Sequence, residues 1–324
     1  MSTQLPLELL ALICDLIAKD TQNNKDAAAT LRNCALVSSQ LTAHCQQHRF
    51  SNIRIPFHKP RTIPSLQQVL DIDHPELGLY VKNLSLVFRS VNDGLRLGLD
   101  RILGRCTQVT SLTVGCDQSF FWNIDWNANV SQSTRLALES IIYSPMCKTL
   151  NIFALRMPFS VFSSSCRNIA LESLSFSKKG TAVHELAVPL VNIPDPGPSY
   201  SSLRFLSILP SLIPSVLSAT FDDGRHLFDL SSLPTLWVDH TYSQDQPNVT
   251  VQMLNRVPRL QCLGFNLDCE YHLIIPSNLS NHFVSLSSNS GSGYLQRISR
   301  VLLHNIDRDP HHSKEPMARR GWSS

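Results

Sequence analysis

The chain is long enough for two domains or for one elongated domain, and it is poor in charge. It has 324 residues, of which 47 are leucine and only 16% are Asp, Glu, Lys or Arg, compared with about 25% in an average soluble protein. Its 28 basic and 25 acidic side chains leave a formal net charge of +3 and form no long run of one sign. We therefore expect neither a nucleic acid nor a membrane as a partner.

The cysteine pattern and the N-terminal residues indicate a reducing compartment. The nine cysteines include no C-x-x-C pair, so neither a disulfide framework nor a zinc ribbon is predicted. Residues 5–17 are largely apolar, but no basic residue precedes them and Glu8 and Asp15 interrupt them, which is unlike a signal peptide. We therefore expect a cytoplasmic or nuclear protein.

The first 55 residues predict three helices and a short strand. Apolar residues recur at helical spacing over residues 9–17, and Pro6 suits the first turn of a helix. Residues 27–38 resume the helical pattern after a polar break, and two serines can cap a third, short helix. Ile53 and Ile55 then alternate with polar residues as in a strand.

From residue 80 onward one apolar pattern is repeated eight times. The central residues of the first and last copies are 217 residues apart, which over seven intervals is a mean spacing of 31. The eight copies are Val81-Leu84-Leu86, Val109-Leu112-Val114, Cys147-Leu150-Ile152, Leu171-Leu174-Phe176, Leu203-Leu206-Ile208, Leu233-Leu236-Val238, Leu260-Leu263-Phe265 and Ile298-Val301-Leu303. Helical patterns over 97–106, 135–143 and 249–257 precede some copies. The pattern predicts a strand, a loop and a helix in repetition.

Other segments lack periodicity. Residues 56–80 are interpreted as a linker, and residues 307–324 as a disordered tail. Residues 188–199 are rich in proline, and residues 278–293 are rich in Ser, Asn and Gly. Both are predicted to be surface loops.

The repeated pattern resembles leucine-rich repeats, whose short parallel strands bury their apolar residues only when successive units stack. The Asn or Cys that the family carries three residues after the last apolar position is missing from all eight copies. The resemblance therefore implies an irregular solenoid over residues 81–306.

The N-terminal unit resembles an F-box. The resemblance is carried by Leu5-Pro6-Leu7-Glu8, by residues 31–38 (LRNCALVS), and by Phe50 with Ile53. It implies that residues 1–55 dock on a Skp-type adaptor protein and, through it, on a cullin scaffold. The residues implied in that contact are Leu5, Pro6, Leu9, Ile13, Val37 and Leu41. At Leu41 the family usually has Trp, and the smaller side chain implies weaker binding of the adaptor.

Together these resemblances predict an α/β protein, with a three-helix F-box-like module followed by an irregular leucine-rich-repeat-like solenoid with parallel strands. They imply the substrate-receptor subunit of a Skp-cullin-F-box type ubiquitin ligase, which binds the adaptor by its helices and an unidentified target protein by its repeats. The alternative is a repeat-based interaction scaffold without a ubiquitin-ligase role. In that case the N-terminal helices only cap the first repeat.

No catalytic motif supports an enzyme. Neither G-x-S-x-G nor a glycine-rich phosphate-binding loop occurs. His44, Cys45 and His48 are the nearest approach to a metal cluster, but no further ligand stands at a familiar spacing. The sequence therefore predicts no catalytic residue, no metal site and no cofactor.

The target is expected to bind the side chains that flank the last two apolar positions of each triplet, because side chains of a strand alternate between its two faces. This face is nearly neutral, with Phe153, Phe205 and Trp237 as large apolar residues and Asp239 and Arg300 as its charged residues. Such a face suits hydrogen bonds and aromatic contacts better than a phosphorylated motif. Trp237 is the predicted hot spot, unless it packs under an adjoining loop as part of the core.

Overall fold

In a computed structural model of the chain, the described residues form an α/β fold with three N-terminal helices and a large, mainly parallel sheet. The described residues are 6–20, 25–37, 39–57, 61–90, 92–116, 124–158, 160–163, 168–177, 198–221, 223–239, 247–267, 283–288 and 299–302. Within these ranges no helix is long and apolar enough to cross a membrane. The expected tail, 307–324, lies outside them, as does most of the proline-rich segment.

The three N-terminal helices are present as predicted. They are α1 (Leu7–Asp20), α2 (Lys25–Val37) and α3 (Ser39–Phe50). They pack around a small core of their own, which is formed by the buried side chains of Cys14, Leu31, Leu41 and Cys45.

The main sheet has ten strands that follow one another in chain order. Its strands are β1 (Asn52–Pro56), β2 (Asn83–Phe88), β3 (Ser111–Cys116), β5 (Thr149–Phe153), β7 (Ser173–Ser177), β8 (Phe205–Ile208), β9 (Thr235–Asp239), β10 (Cys262–Leu267), β11 (Phe283–Ser288) and β12 (Ser299–Leu302). Two short strands, β4 (Ile124–Asp125) and β6 (Leu155–Arg156), pair separately. Each strand of the main sheet pairs in parallel with the next, except that β12 runs antiparallel to β11.

Seven of the eight apolar triplets coincide with the parallel strands from β2 to β10. Their described apolar side chains are all buried, and equivalent residues are in register, as Leu84 is with Leu112 and Leu112 is with Leu150. The repeated pattern therefore predicted parallel strands correctly, because each strand buries the same face.

The last part of the sheet differs from the prediction. Strand β11 lies inside residues 278–293, which were expected to be a loop. Val284 and Leu286 are in register with Leu263 and Phe265 of β10, but the residue three positions before Val284 is Asn281, so the strand lacks the full triplet. Of the eighth triplet, the structure describes only Val301, which lies in β12. This strand is antiparallel to β11, and only ten residues separate the two strands, fewer than a parallel crossover usually needs.

Helices connect many of the strands, and their buried residues join those of the sheet in one core. The three predicted helices are observed as α5 (Leu99–Arg105), α7 (Gln132–Tyr143) and α10 (Pro247–Leu254). The other α-helices are α4 (Thr62–Gln67), α6 (Trp126–Asn129), α8 (Ser160–Ser163) and α9 (Ile213–Ser218).

Residues 56–80, which were interpreted as a linker, include a helical segment of the folded body. Helix α4 continues into a π-helix (Gln68–Asp73), and a 3-10 helix (Pro75–Tyr80) follows. Ile63, Leu70 and Leu77 are buried in the core that the sheet shares with its connecting helices. These three residues are seven positions apart, which is a helical spacing. The segment was interpreted as a linker because it contains no apolar triplet.

Candidate functional site

Helix α1 carries a stripe of exposed apolar side chains. Leu9, Leu12, Ile13 and Leu16, here named the α1 stripe, are exposed by 46%, 53%, 44% and 57%. Their spacing of three and four residues places them on one face of the helix. The stripe is therefore a continuous apolar surface on the outside of the three-helix module.

The stripe is additional to the face by which α1 packs on its neighbours. Cys14 is buried in the core of the module, and Leu10 and Ile17 pack against that core. A helix that packs by one face needs only one apolar stripe to fold. A second one in contact with solvent has no role in holding this module together, and exposed apolar surface of this kind is typical of docking sites.

The structure places the predicted adaptor-binding residues in different environments. Pro6, Leu9 and Ile13 are exposed. Leu41 is only 7% exposed and packs inside the module, so it lies in the interior and not on the exposed surface. Having Leu instead of Trp at this position therefore does little to change the exposed area that a partner could cover. Leu5 and the side chain of Val37 lie outside the described residues.

Leu12 and Leu16 extend the exposed surface and were not among the predicted contact residues. Both residues follow the helical spacing of apolar residues in α1. That spacing alone does not show which face of the helix packs inward and which remains exposed. That distinction depends on where α2 and α3 lie, which the sequence of α1 alone does not determine.

The second candidate surface is the solvent-facing side of the sheet. In β2, β5 and β7 buried residues alternate with partly exposed ones. The strand register aligns one residue of this face from each strand in a row across the sheet. From β1 to β10 this central row consists of Arg54, Ser85, Thr113, Asn151, Ser175, Ser207, Trp237 and Gly264. Within it, Nδ2 of Asn151 donates a hydrogen bond to Oγ1 of Thr113 at 3.3 Å.

Trp237 lies directly over the neighbouring strand. A Cβ atom built on Gly264 would be only 2.4 Å from the indole ring, so the ring occupies the space that a side chain at position 264 would need. Phe153 has the same relation to Gly115, where a Cβ atom would be 2.5 Å from the phenyl ring. Both aromatic side chains are partly exposed, so each rests on the sheet and still offers surface to a ligand.

The predicted target-binding residues are spread along the sheet. Phe153, Phe205 and Trp237 belong to β5, β8 and β9, and three inter-strand spacings, or about 14 Å, separate the first and last of these strands. Phe205 is partly exposed. Asp239 ends β9, and Arg300 stands in the antiparallel β12 in register with Ser285, but their side chains lie outside the described residues.

A cluster of titratable side chains joins α1 to α3. Nε2 of His44 lies 2.8 Å and Nε2 of His48 lies 2.6 Å from Oδ1 of Asp15. The hydrogen bonds from His48 and His44 hold the pKa of the Asp15 carboxyl below its usual value. Cys45 is not part of this cluster, because it is fully buried with its Sγ 3.6 Å from Sγ of Cys14. The two histidines thus meet a carboxylate that is distant in sequence, which spacing alone could not reveal.

A surface cavity of about 410 Å³ is lined by Ser199, His226 and Asp229 among other residues, the residue types of a hydrolase triad. Oγ of Ser199, however, donates to the main-chain oxygen of His226 at 2.6 Å, and the His226 ring is 2.9 Å from a guanidinium nitrogen of Arg256. The hydroxyl is thus directed at a carbonyl and the imidazole at a cation. This arrangement provides no activated nucleophile.

No protein-family model matches the chain, and no curated protein matches its sequence.

Proposed function

We propose that this protein is the substrate-receptor subunit of a Skp-cullin-F-box type ubiquitin ligase. In this proposal the three N-terminal helices bind a Skp-type adaptor, and the solvent-facing side of the sheet, as a leucine-rich-repeat-like domain, binds the target. The α1 stripe is the observation that carries the proposal, because it is apolar surface that the described part of the chain leaves uncovered.

The stripe is large enough to contribute substantially to binding. Complete burial of an aliphatic side chain contributes about 1.5 to 3 kcal/mol, and each of the four side chains is about half exposed in the free protein. Covering the stripe would therefore contribute roughly 3 to 6 kcal/mol in total, before the cost of association is subtracted.

The surface of the sheet supports the second half of the proposal. Its central row is built mainly from hydroxyl and amide side chains, with Trp237 near one end. In the described part of that row, from β1 to β10, Arg54 is the only charged residue. Such a surface favours a polypeptide held by hydrogen bonds and aromatic contacts, since a phosphorylated motif would need a cluster of arginines.

The protein would then contribute no bond-forming group of its own. It would hold adaptor and target at the same time, so that a ubiquitin-carrying enzyme brought by the scaffold meets the target at a high effective concentration.

The alternative is an interaction scaffold whose N-terminal helices only cap the sheet. One observation favours it: α3 packs against the 3-10 helix at Pro75–Tyr80 and lies beside β1, the first strand of the sheet. A helical cap would occupy that position. A cap needs only an inward apolar face, however, so the exposed stripe is the feature that separates the two functions.

Binding of the purified chain to a purified Skp-type adaptor, measured by isothermal titration calorimetry, tests the proposal. We expect a 1:1 complex, and we expect Leu12→Asp with Leu16→Asp to weaken it by at least about a hundredfold, because carboxylates would be buried without partners. Both leucines are exposed, so the variant should fold normally.

Leu136→Asp is the matched control, since Leu136 is also an exposed leucine on a helix, α7, at 59% compared with 57% for Leu16. It should bind the adaptor as the unchanged chain does. A chain that binds no adaptor, or a double variant that binds normally, would contradict the proposal and favour the scaffold.

A further inference from the structure

The cluster of Asp15, His44 and His48 has the composition of a transition-metal site. His44 and His48 are four residues apart and therefore project from the same side of α3. Their Nε2 atoms converge on one oxygen of Asp15, which belongs to α1. The three ligand atoms all lie within 4.8 Å of one another.

We propose that these three side chains bind one divalent transition-metal ion of the Zn²⁺ class, with Nε2 of His44, Nε2 of His48 and a carboxylate oxygen of Asp15 as protein ligands. This site is separate from the docking function proposed above, because none of its ligands belongs to the α1 stripe. Two imidazoles and one carboxylate leave a fourth, tetrahedral position for water.

The two distances between imidazole nitrogen and carboxylate oxygen need only small changes to accept the ion. Bonds of about 2.0 to 2.1 Å in a tetrahedral site place neighbouring ligand atoms about 3.3 Å apart. The present distances are 2.8 Å and 2.6 Å, so the two nitrogens would move away from the oxygen by about 0.5 Å and about 0.7 Å. Rotations of the histidine and aspartate side chains can supply displacements of this size.

Binding also changes the position of one hydrogen in each imidazole. A carboxylate oxygen only accepts hydrogen bonds, so each Nε2 carries a hydrogen while it faces Asp15. To bind an ion, a neutral ring places this hydrogen on Nδ1 and presents the lone pair of Nε2 to the metal. The ion thus replaces two hydrogen bonds with two coordinate bonds to the same groups.

The site is accessible to an ion from solution. The side chains of His44, His48 and Asp15 are 30%, 26% and 42% exposed. His48 also lines an open surface recess between α2 and the end of α3, together with Ala28, Ala29, Leu31, Arg32, Arg49 and Asn52. Because all three ligand side chains are partly exposed, water from solution would supply the fourth ligand.

The nearby thiol is not expected to take part. Cys45 faces the interior and its Sγ is 3.6 Å from that of Cys14, while burial raises the pKa of the Cys45 thiol to about 12. A metal ion binds the thiolate and not the thiol. The predicted set of ligands therefore contains nitrogen and oxygen and no sulfur.

Titration of the metal-free full chain with Zn²⁺ by calorimetry, and with Co²⁺ by visible absorption, tests the proposal. We expect one ion per chain, tetrahedral ligand-field bands with Co²⁺, and a rise in unfolding temperature, because the ion would link α1 to α3. Asp15→Asn and His48→Gln should each weaken binding by at least roughly a hundredfold, since even residues that only support a metal ligand contribute 10- to 100-fold.

His74→Gln is the matched control, because His74 is an exposed histidine that pairs with Glu76 outside the cluster. It should leave Zn²⁺ binding unchanged. X-ray absorption of the Zn²⁺-loaded, unchanged chain provides a test that does not depend on the folding of any variant, and it should detect nitrogen and oxygen ligands only. Absence of stoichiometric binding, sulfur at the metal, or unchanged affinity in Asp15→Asn would each overturn the proposal.

Discussion

At the scale of single residues, two glycines make room for the aromatic side chains of the sheet surface. The space above Gly264 is filled by the indole of Trp237, and the space above Gly115 by the ring and the main-chain oxygen of Phe153. The sequence identified both aromatic residues as surface features, but it contained no sign that each one lies over a glycine of the adjacent strand. That relation depends on the register between residues that are 27 and 38 positions apart in sequence, which only the packed sheet specifies.

We expect Gly264→Ala to lower the free energy of unfolding by about 1 to 3 kcal/mol and to shift Trp237 fluorescence to the red, because the new Cβ displaces the indole toward solvent. Gly115→Ala should be at least as destabilising, because its Cβ would be 2.2 Å from the main-chain oxygen of Phe153, which cannot move without the rest of its strand.

Gly104→Ala is the control, since nothing lies within 4 Å of its Cβ position in α5. It should be neutral or stabilising. Chemical denaturation measures all three, and equal stabilities would be inconsistent with this account.

Several cysteines are buried and should be chemically inert. Burial raises the pKa of the Cys106 thiol to about 12 and that of Cys147 to about 11. Because the thiolate is the reactive form, we expect neither residue to be alkylated by iodoacetamide at neutral pH in the folded chain. Both should react in denaturant. Peptide mass spectrometry reports each site separately, and Cys262, which is partly exposed, provides the comparison. Rapid labelling of Cys106 in the native chain would contradict the burial described here.

At the scale of secondary-structure elements, the prediction succeeded where an apolar triplet or a clear helical pattern was recognised, and it failed elsewhere. The three N-terminal helices and the strands from β2 to β10 follow apolar patterns whose buried residues match the prediction. Strand β11 was missed because Asn281 interrupts its triplet. The helical segment at residues 62–80 was missed because it contains no apolar triplet, although its buried residues Ile63, Leu70 and Leu77 recur every seven positions. The meeting of Asp15 with two histidines was equally beyond the sequence, since it results from the packing of α1 on α3.

The turn between β2 and α5 depends on one buried carboxylate. Asp93 is 2% exposed and accepts hydrogen bonds from the main-chain nitrogens of Arg89 and Ser90, at 2.7 Å and 2.9 Å, and from the Arg96 side chain at 2.9 Å. We expect Asp93→Ala to reduce the free energy of unfolding by about 3 kcal/mol, because it leaves these donors without their acceptor.

The control for this turn is Glu139→Ala in α7, where the carboxylate is partly exposed. Surface substitutions of this kind usually change stability by less than about 0.5 kcal/mol. Thermal or urea denaturation distinguishes the two variants. If the two variants had the same free energy of unfolding, the Asp93 carboxylate would not be the group that stabilises the turn.

At the scale of the whole molecule, the N-terminal module exposes a continuous apolar stripe, while the central row of the sheet surface consists mainly of polar side chains. Exposed apolar surface without a partner promotes self-association. We therefore expect the isolated chain to form concentration-dependent oligomers, and we expect Leu12→Lys with Leu16→Lys to reduce them without a loss of stability, because both side chains are exposed. Analytical ultracentrifugation measures this. Leu136→Lys should leave the oligomers unchanged, and an effect equal to that of the double variant would show that the stripe is not the contact.

The order of the strands also bears on how the chain is made. Every strand of the main sheet lies beside the strand that precedes it in that sheet along the chain, so each new strand finds its partner already synthesised. The sheet can therefore grow strand by strand in the order in which the chain leaves the ribosome. Strand β1 and the N-terminal helices are synthesised first, so β2 can pair with β1 as soon as it emerges. Strand β12, the last strand within the described residues, runs in the opposite direction, so it interrupts the parallel series that the earlier strands build.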